Sequence, residues 1–516
     1  MENINATLST RIGVLEGQVA AINTTLASMN ATITQLQNSV SSLNDTVNYL
    51  NQTVTYLNST TGFGQPSYDS GWVNITTGTG QYMDFFHNLN TTDLFIDIQG
   101  RTTIDGNITQ RYLGLTSYLS GWSRTYNGSS EDMVRCVIQT SDGGYAFVGP
   151  TETGFPYYSQ CNFIKLDALG NVEWQKTWGG TNYEYAYSLI QTRDGGYAFV
   201  GLTASFGNGK HDVYLVKTNA TGDEQWTKSY GAAEDDEGWS LVQTSDNGYA
   251  IGGLTYSYGS SGDMLLVKTD QNGNQQWVRN YGGANYDCPY ANTLIITRDG
   301  GYAMAGYTNS SGAGLRDMYF VKTDASGNVQ WTKTYGGSGY DEAHAIIQTN
   351  DGGYALAGET DSYGGNVQCW LVKTDSSGNA QWNRTYGGAS WDKAYSLVQT
   401  DEGGYALAGY TWSFGAGGYD FWLIKTDRSG NVQYAQTYGT PVNEIALSMI
   451  RSKDGSYVLA GYKQYSTGSN IYYWLVKTDT EFGLAQTDLT DKYVTLYRGA
   501  TDPYWNYVRI RIWKLE

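Results

Sequence analysis

Seven copies of one block restrict the fold of this chain more tightly than any other property it has. Aligned on the tyrosine of an Asp-Gly-Gly-Tyr-Ala motif, the copies fall at Tyr145, Tyr197, Tyr249, Tyr302, Tyr354, Tyr405 and Tyr457, with spacings of 52, 52, 53, 52, 51 and 52 residues. Each copy reads as four short strands. In the second, Tyr187 to Thr192 alternates and ends at Arg193-Asp194-Gly195-Gly196, and Tyr197 to Thr203 follows. Asp212 to Thr218 then ends at Asn219-Ala220-Thr221-Gly222, and Glu224 to Tyr230 closes the unit. Four antiparallel strands per repeat, arrayed radially, make a β-propeller blade.

The ring-closing strand is also readable. An aromatic on the fourth strand (Trp174, Trp226, Trp277, Trp331, Trp382, Tyr434) stands 23 residues before the next anchor tyrosine, or 25 in the case of Trp277. The same step back from Tyr145 reaches Trp122, whereas the last copy stops at Thr478-Asp479 without a fourth strand. The segment around Trp122 is therefore expected to complete the seventh blade and leave no open sheet edge. The stretch Val321-Lys322-Thr323-Asp324-Ala325-Ser326-Gly327-Asn328-Val329-Gln330-Trp331 resembles the tryptophan-docking repeat of pyrroloquinoline-quinone-type propellers. The resemblance extends over all seven copies and implies scaffold alone: a turn shaped by the aspartate and glycine, and an indole packed between blades. It does not imply the quinone. A lysine after each third strand (Lys165, Lys217, Lys268, Lys322, Lys373, Lys425, Lys477) is expected to lie along the docked indole with its ammonium in water.

Outside the repeats, Leu8 to Leu57 carries apolar residues at alternating steps of four and three, an unbroken heptad pattern. Residues 1–60 therefore read as an α-helical coiled-coil stalk of roughly 75 Å, apolar along one seam that only other copies can bury. Residues 61–68 form a linker. The two flanks, 69–117 and 480–516, are each too small to fold alone, but together could form one β-sandwich with the propeller (118–479) inserted between its strands. The opening Ser70-Gly71-Trp72 and the ending Val508-Arg509-Ile510-Arg511-Ile512-Trp513-Lys514 resemble an H-type-lectin-like module. That likeness implies a trimer, which is followed here although β-branched a positions and leucine d positions lean towards two strands. The expected fold class is mainly β: a seven-bladed propeller with a small sandwich, preceded by the stalk.

Composition removes several functions. A formal charge of −18 repels nucleic acid and anionic membranes. Three histidines and four cysteines form no zinc- or iron-binding motif, and Cys136 and Cys161 fall on strands too far apart for a disulfide within their blade. No apolar run is long enough to cross a membrane, and the Met1-Glu2-Asn3 start shows no signal peptide. Thirteen Asn-x-Ser/Thr sites (Asn5, Asn23, Asn30, Asn44, Asn51, Asn58, Asn74, Asn90, Asn107, Asn127, Asn219, Asn309, Asn383) suit glycosylation outside the cell.

Two sets of candidate site residues emerge. Six positions after the aromatic that ends each fourth strand (Tyr126, Trp178, Tyr230, Tyr281, Tyr335, Tyr386, Tyr438) stand Asp132, Glu184, Asp236, Asp287, Asp341, Asp392 and Glu444. Crowded around one mouth of the channel, they would attract calcium; as one carboxylate per blade, they would cap the linker. The loops between second and third strands offer Tyr256, Tyr258, Tyr363, Trp412 and Phe414 for stacking on a sugar or docking a protein. His344, beside Asp341 and Glu342, could act as a base but reads first as a bystander. Near-uniform blades argue against catalysis. The expected protein is a non-enzymatic, oligomeric surface fibre for adhesion or ligand binding, with a viral receptor-binding tail fibre and a propeller glycosidase or lyase as alternatives.

Overall fold

A computed structural model describes residues 121–478, apart from 130–131, 154–157, 260 and 465–470, together with the backbone of short flanking strands. The heptad segment 1–60 and its sequons lie outside the described residues, as do Asn90 and Asn107. Residues 121–478 form seven four-stranded antiparallel sheets. Blade two shows the plan: Glu184–Gln191, Tyr197–Thr203, Asp212–Thr218 and Glu224–Tyr230 pair in that order. Both middle strands are buried along their whole length and the fourth is largely exposed, so apolar runs in the middle give way to alternation at the rim.

Each turn between first and second strands is locked to the third. In blade two, Asp194 accepts from the Thr192 hydroxyl (2.5 Å) and the Gly196 amide (3.0 Å), and pairs with Lys217 at 2.9 Å. Lys217 also donates to the Thr218 carbonyl (2.8 Å) and Gln225 (3.0 Å). The lysine is therefore not solvated along an indole: six of the seven have side chains 3–8% exposed and pair with an aspartate, and Lys165, Lys217, Lys268, Lys322 and Lys373 also donate to the carbonyl of the next residue. Only Lys425, paired loosely with Glu402 at 3.6 Å, departs. Both motif glycines are needed. Gly195 takes φ +83°, and a Cβ on Gly196 would lie 2.2 Å from the Thr218 oxygen.

Blades join through their tryptophans. Trp174 of blade one packs on Gly222 of blade two so closely that a Cβ there would fall 2.7 Å from the ring, and Trp226, Trp277, Trp331 and Trp382 do likewise on Gly273, Gly327, Gly378 and Gly430. Below this contact a tyrosine bridges the same neighbours: the Tyr230 hydroxyl donates to the Gly273 carbonyl at 2.7 Å. Closure uses the same parts. Trp122–Ser129 pairs with Ile471–Lys477 as the fourth strand of blade seven, Trp122 covers Gly170 of blade one, and the Tyr126 hydroxyl donates to the Gly170 carbonyl at 2.7 Å.

Of the flanks, Leu94–Arg101 pairs with Tyr507–Lys514 and with Gln110–Leu115, and Tyr82–Phe86 pairs with Tyr493–Tyr497. Strands from the two ends of the chain thus share sheets. The four cysteines are free and buried.

Replacing Trp122 by Ala should cost roughly 3–5 kcal/mol, with amide exchange rising over Ile471–Lys477 while blades two to five keep their protection. Unchanged exchange there would refute the closure.

Candidate functional site

The seven carboxylates that open the innermost strands are all fully buried. Of the two expected roles, their contacts fit the cap: Glu184, Asp236, Asp287, Asp341, Asp392 and Glu444 each accept from donors within their own blade or linker, although Asp287 Oδ1 and Asp341 Oδ1 have no hydrogen-bond partner among the described residues. Asp236 accepts from the Ala232 amide (2.8 Å), the Ser257 hydroxyl (2.6 Å) and the Thr255 hydroxyl, and Glu184 from Gly180, Thr203 and Ser205. A second acid, unremarked in the sequence, opens several third strands beside the first. A Cβ on Gly231 would lie 2.1 Å from Asp212 Oδ1 and 2.9 Å from Asp236 Oδ2, and Asp263 with Asp287 and Asp317 with Asp341 repeat the pairing. Burial, and more weakly the neighbouring charge, raises Asp212, Asp263 and Asp317 above the ordinary carboxylate range. Burial pushes Asp420 up to about 7, reinforced by Glu444.

The innermost strands break their register at one further position per blade. In blades two, three, five, six and seven, a β-bulge leaves Tyr187, Trp239, His344, Tyr395 and Leu447 without a partner. Bulged residues are re-aimed out of the ladder. Tyr187 and Trp239 have ring centroids 6.0 Å apart, His344 lies 4.7 Å from Tyr395, and the Arg135 guanidinium of blade one sits 5.6 Å above Tyr187. Blade four has a larger irregularity between Pro289 and Leu294, which contains the extra residues behind its longer spacing. There Tyr290 stacks 4.0 Å from His344, and Asn292, at φ 62°, donates to the Arg135 carbonyl of blade one at 3.2 Å. Blades one and four are three apart in the ring, so Asn292 spans the axis.

Beside this plug lies a polar cluster. Glu342 accepts from the Tyr290 hydroxyl and from Arg316 (2.6 Å), whose guanidinium covers the Tyr307 ring at 4.5 Å. Glu359, cross-strand from Glu342, pairs with Lys393. Burial pushes Glu359 up to about 7 despite Lys393. It also drives His344 down to about 3, so the imidazole is neutral. For Glu342 burial opposes ionisation, but the Tyr290 hydroxyl and the Arg316 guanidinium outweigh it and hold the carboxyl low.

The five loop aromatics sit where the sequence placed them, 38–50% exposed. Their loops share a face with the linkers into the innermost strands, as the amide of Trp412 on the Trp391 carbonyl (2.9 Å) and of Tyr256 on Asp235 (2.9 Å) attest. The linkers add Tyr183, Tyr340 and Trp391, and blade two's loop adds Phe206, all more than two-fifths exposed. Trp391 and Trp412 meet edge to face at 6.1 Å, and Trp412 meets Tyr419 at 5.2 Å. Among the sequons, Asn309 and Asn383 are exposed, while Asn219 uses its amide within its own turn, accepting from Thr221 and Asp223.

No family model matches the sequence. The chain is 28% identical over 193 residues to the regulatory protein FlaEY of Caulobacter vibrioides, a match covering 34% of this chain and 18% of that protein. Among solved structures, the polysaccharide lyase Uly1 aligns with 79% of this chain and all of its own (TM-score 0.42, 9% identity). The Neurospora crassa Pan2 WD40 domain aligns with 67% of this chain and 96% of its own (TM-score 0.41, 11% identity). Puromycin hydrolase aligns with 72% and 54% respectively (TM-score 0.41, 13% identity).

Two groups of carboxylates give stability opposite pH dependences. Asp142, Asp246, Asp299 and Asp351 are held at about 2 by hydroxyl, lysine and amide partners that overcome burial, so their contribution is lost as pH falls from about 4 towards 2. Asp420 and Glu359 are raised, so theirs is present below the ordinary carboxylate range and lost as pH rises through about 7. Urea midpoints should fall between pH 5 and 8, and Asp420→Asn should shrink that decline. An unchanged decline in the variant would contradict the assignment.

Proposed function

We propose that the chain is a non-enzymatic recognition protein, an extracellular oligomeric fibre displayed on a cell or virion surface, whose propeller binds a surface glycan or a protein through its aromatic face. The observation that carries this reading is the row of half-exposed rings on loops that a rigid scaffold holds in place: Tyr256, Tyr258, Tyr363, Trp391, Trp412 and Phe414. Large aromatics left in water at fixed positions suit stacking on sugar rings or anchoring a partner. The charge of −18 favours a neutral glycan over a sulfated or uronic one. Oligomerisation through residues 1–60 would multiply a weak single-site affinity.

A glycan array probed with the full chain should show binding to neutral glycans. Trp412→Ala and Trp391→Ala should each weaken it by about tenfold without changing the melting temperature. Loss of neither would overturn the assignment of this face. Static light scattering should give a trimer that residues 61–516 alone do not form; a full-length monomer would remove the stalk from the reading.

One observation favours a second reading, a propeller glycosidase or lyase. Glu342 and Glu359 are cross-strand neighbours whose surroundings pull their ionisation apart, as acid–base chemistry requires. Turnover of any glycoside or uronide substrate that Glu359→Gln abolishes would establish it.

A further inference from the structure

We propose that Glu342, His344 and Glu359 form a binding site for a first-row divalent transition metal, with zinc the ion best suited to the donors. Each of the three offers a ligand atom, and these atoms lie within 4.8 Å of one another. All come from blade five. Glu342 and His344 are on its innermost strand, and Glu359 faces Glu342 from the second. His344 Nε2 is 3.9 Å from Glu342 Oε2, a separation that would close by about half an ångström around one tetrahedral ion at about 2 Å from each.

The imidazole supplies an independent observation. His344 is 97% buried by its 3% exposure, yet neither ring nitrogen has a hydrogen-bond partner. A neutral imidazole carries one donor and one acceptor, and leaving either unmade in the interior forfeits hydrogen bonds that water would have supplied. Its stacking neighbours, Tyr290 and Tyr395, meet it ring to ring. A metal on one nitrogen would relieve the acceptor directly.

The donor chemistry selects the ion. One imidazole nitrogen with two carboxylates is a borderline set that zinc accepts, whereas calcium takes oxygen alone. The Tyr290 hydroxyl donates to Glu342 Oε2, the oxygen that faces His344, and so fixes where that ligand atom stands. Arg316 on Glu342 and Lys393 on Glu359 now balance the two acids. Lys393 is the cation an incoming metal would displace, because its side chain is one-fifth exposed and free to swing into solvent.

Full-length protein stripped with chelator should bind zinc chloride calorimetrically at a single site, and cobalt(II) should give visible d–d bands. His344→Phe should abolish both signals, and Glu359→Gln should weaken zinc binding by roughly a hundredfold. Lys393→Met, which removes the competing cation, should tighten it by about tenfold. Calcium chloride should give no heat. His211→Ala should change nothing, although His211 lies 3.1 Å from Asp235 and is the competing zinc ligand on the surface. Absence of saturable zinc binding would overturn the proposal, as would binding that follows His211 and ignores Glu359 and Lys393. If His344→Phe does not fold, the opposite responses of Glu359→Gln and Lys393→Met decide alone.

Discussion

The radial order of six of the seven blades hangs on one buried ammonium in each. Removing a lysine from water costs several kcal/mol unless its charge is met. Here the charge is met by the aspartate of the turn between first and second strands, by the backbone of the third, and in several blades by a side chain on the fourth, as with Lys217 on Asp194, Thr218 and Gln225. One side chain therefore joins all parts of the sheet except its innermost segment. Losing the aspartate alone would leave the lysine uncompensated, so the two must vary together. Blade six shows such a relaxed pair, with Glu402 in place of the aspartate and Lys425 nearly a third exposed.

Between blades the unit of adhesion is an indole lying on a glycine. Gly222, Gly273, Gly327, Gly378 and Gly430 have no room for a Cβ because the preceding blade's tryptophan occupies it. Each is also at positive φ inside a turn stapled by an aspartate or asparagine, so one residue meets a conformational and a steric demand at once. The contact carries no directionality beyond the next blade, which is why a strand from the N-terminal side can close the ring with Trp122 on Gly170.

The sequence made this scaffold readable because every element of it recurs. Period, strand count and the closing segment follow from spacing alone, and the aromatic loops could be placed because propeller topology puts them on a known face. The lysines were misread since spacing gives their position and not their partner. The seven carboxylates were found but left between a ring and a cap, because the threonine and serine hydroxyls that hold residues such as Asp236 lie some twenty positions further on. Only His344 was singled out from the axial set, and the set itself was missed. Arg135, Tyr187, Trp239, Tyr290, His344, Tyr395 and Leu447 each stand three residues after one of those carboxylates, so the position was countable. Its composition changes at nearly every blade, however, and a search for repetition passes over it. Glu359 carries no local signal, because it reads as one more strand residue until the pairing puts it opposite Glu342.

Asn292 ties the ring across its axis. By reaching from blade four to the Arg135 carbonyl of blade one, it joins two blades that are not neighbours in the ring. The bond also couples residues 157 positions apart in the chain, so it can form only after blade one has waited for three more to be made. The same amide thereby reports that the chain has come round from blade one to the first strand of blade four.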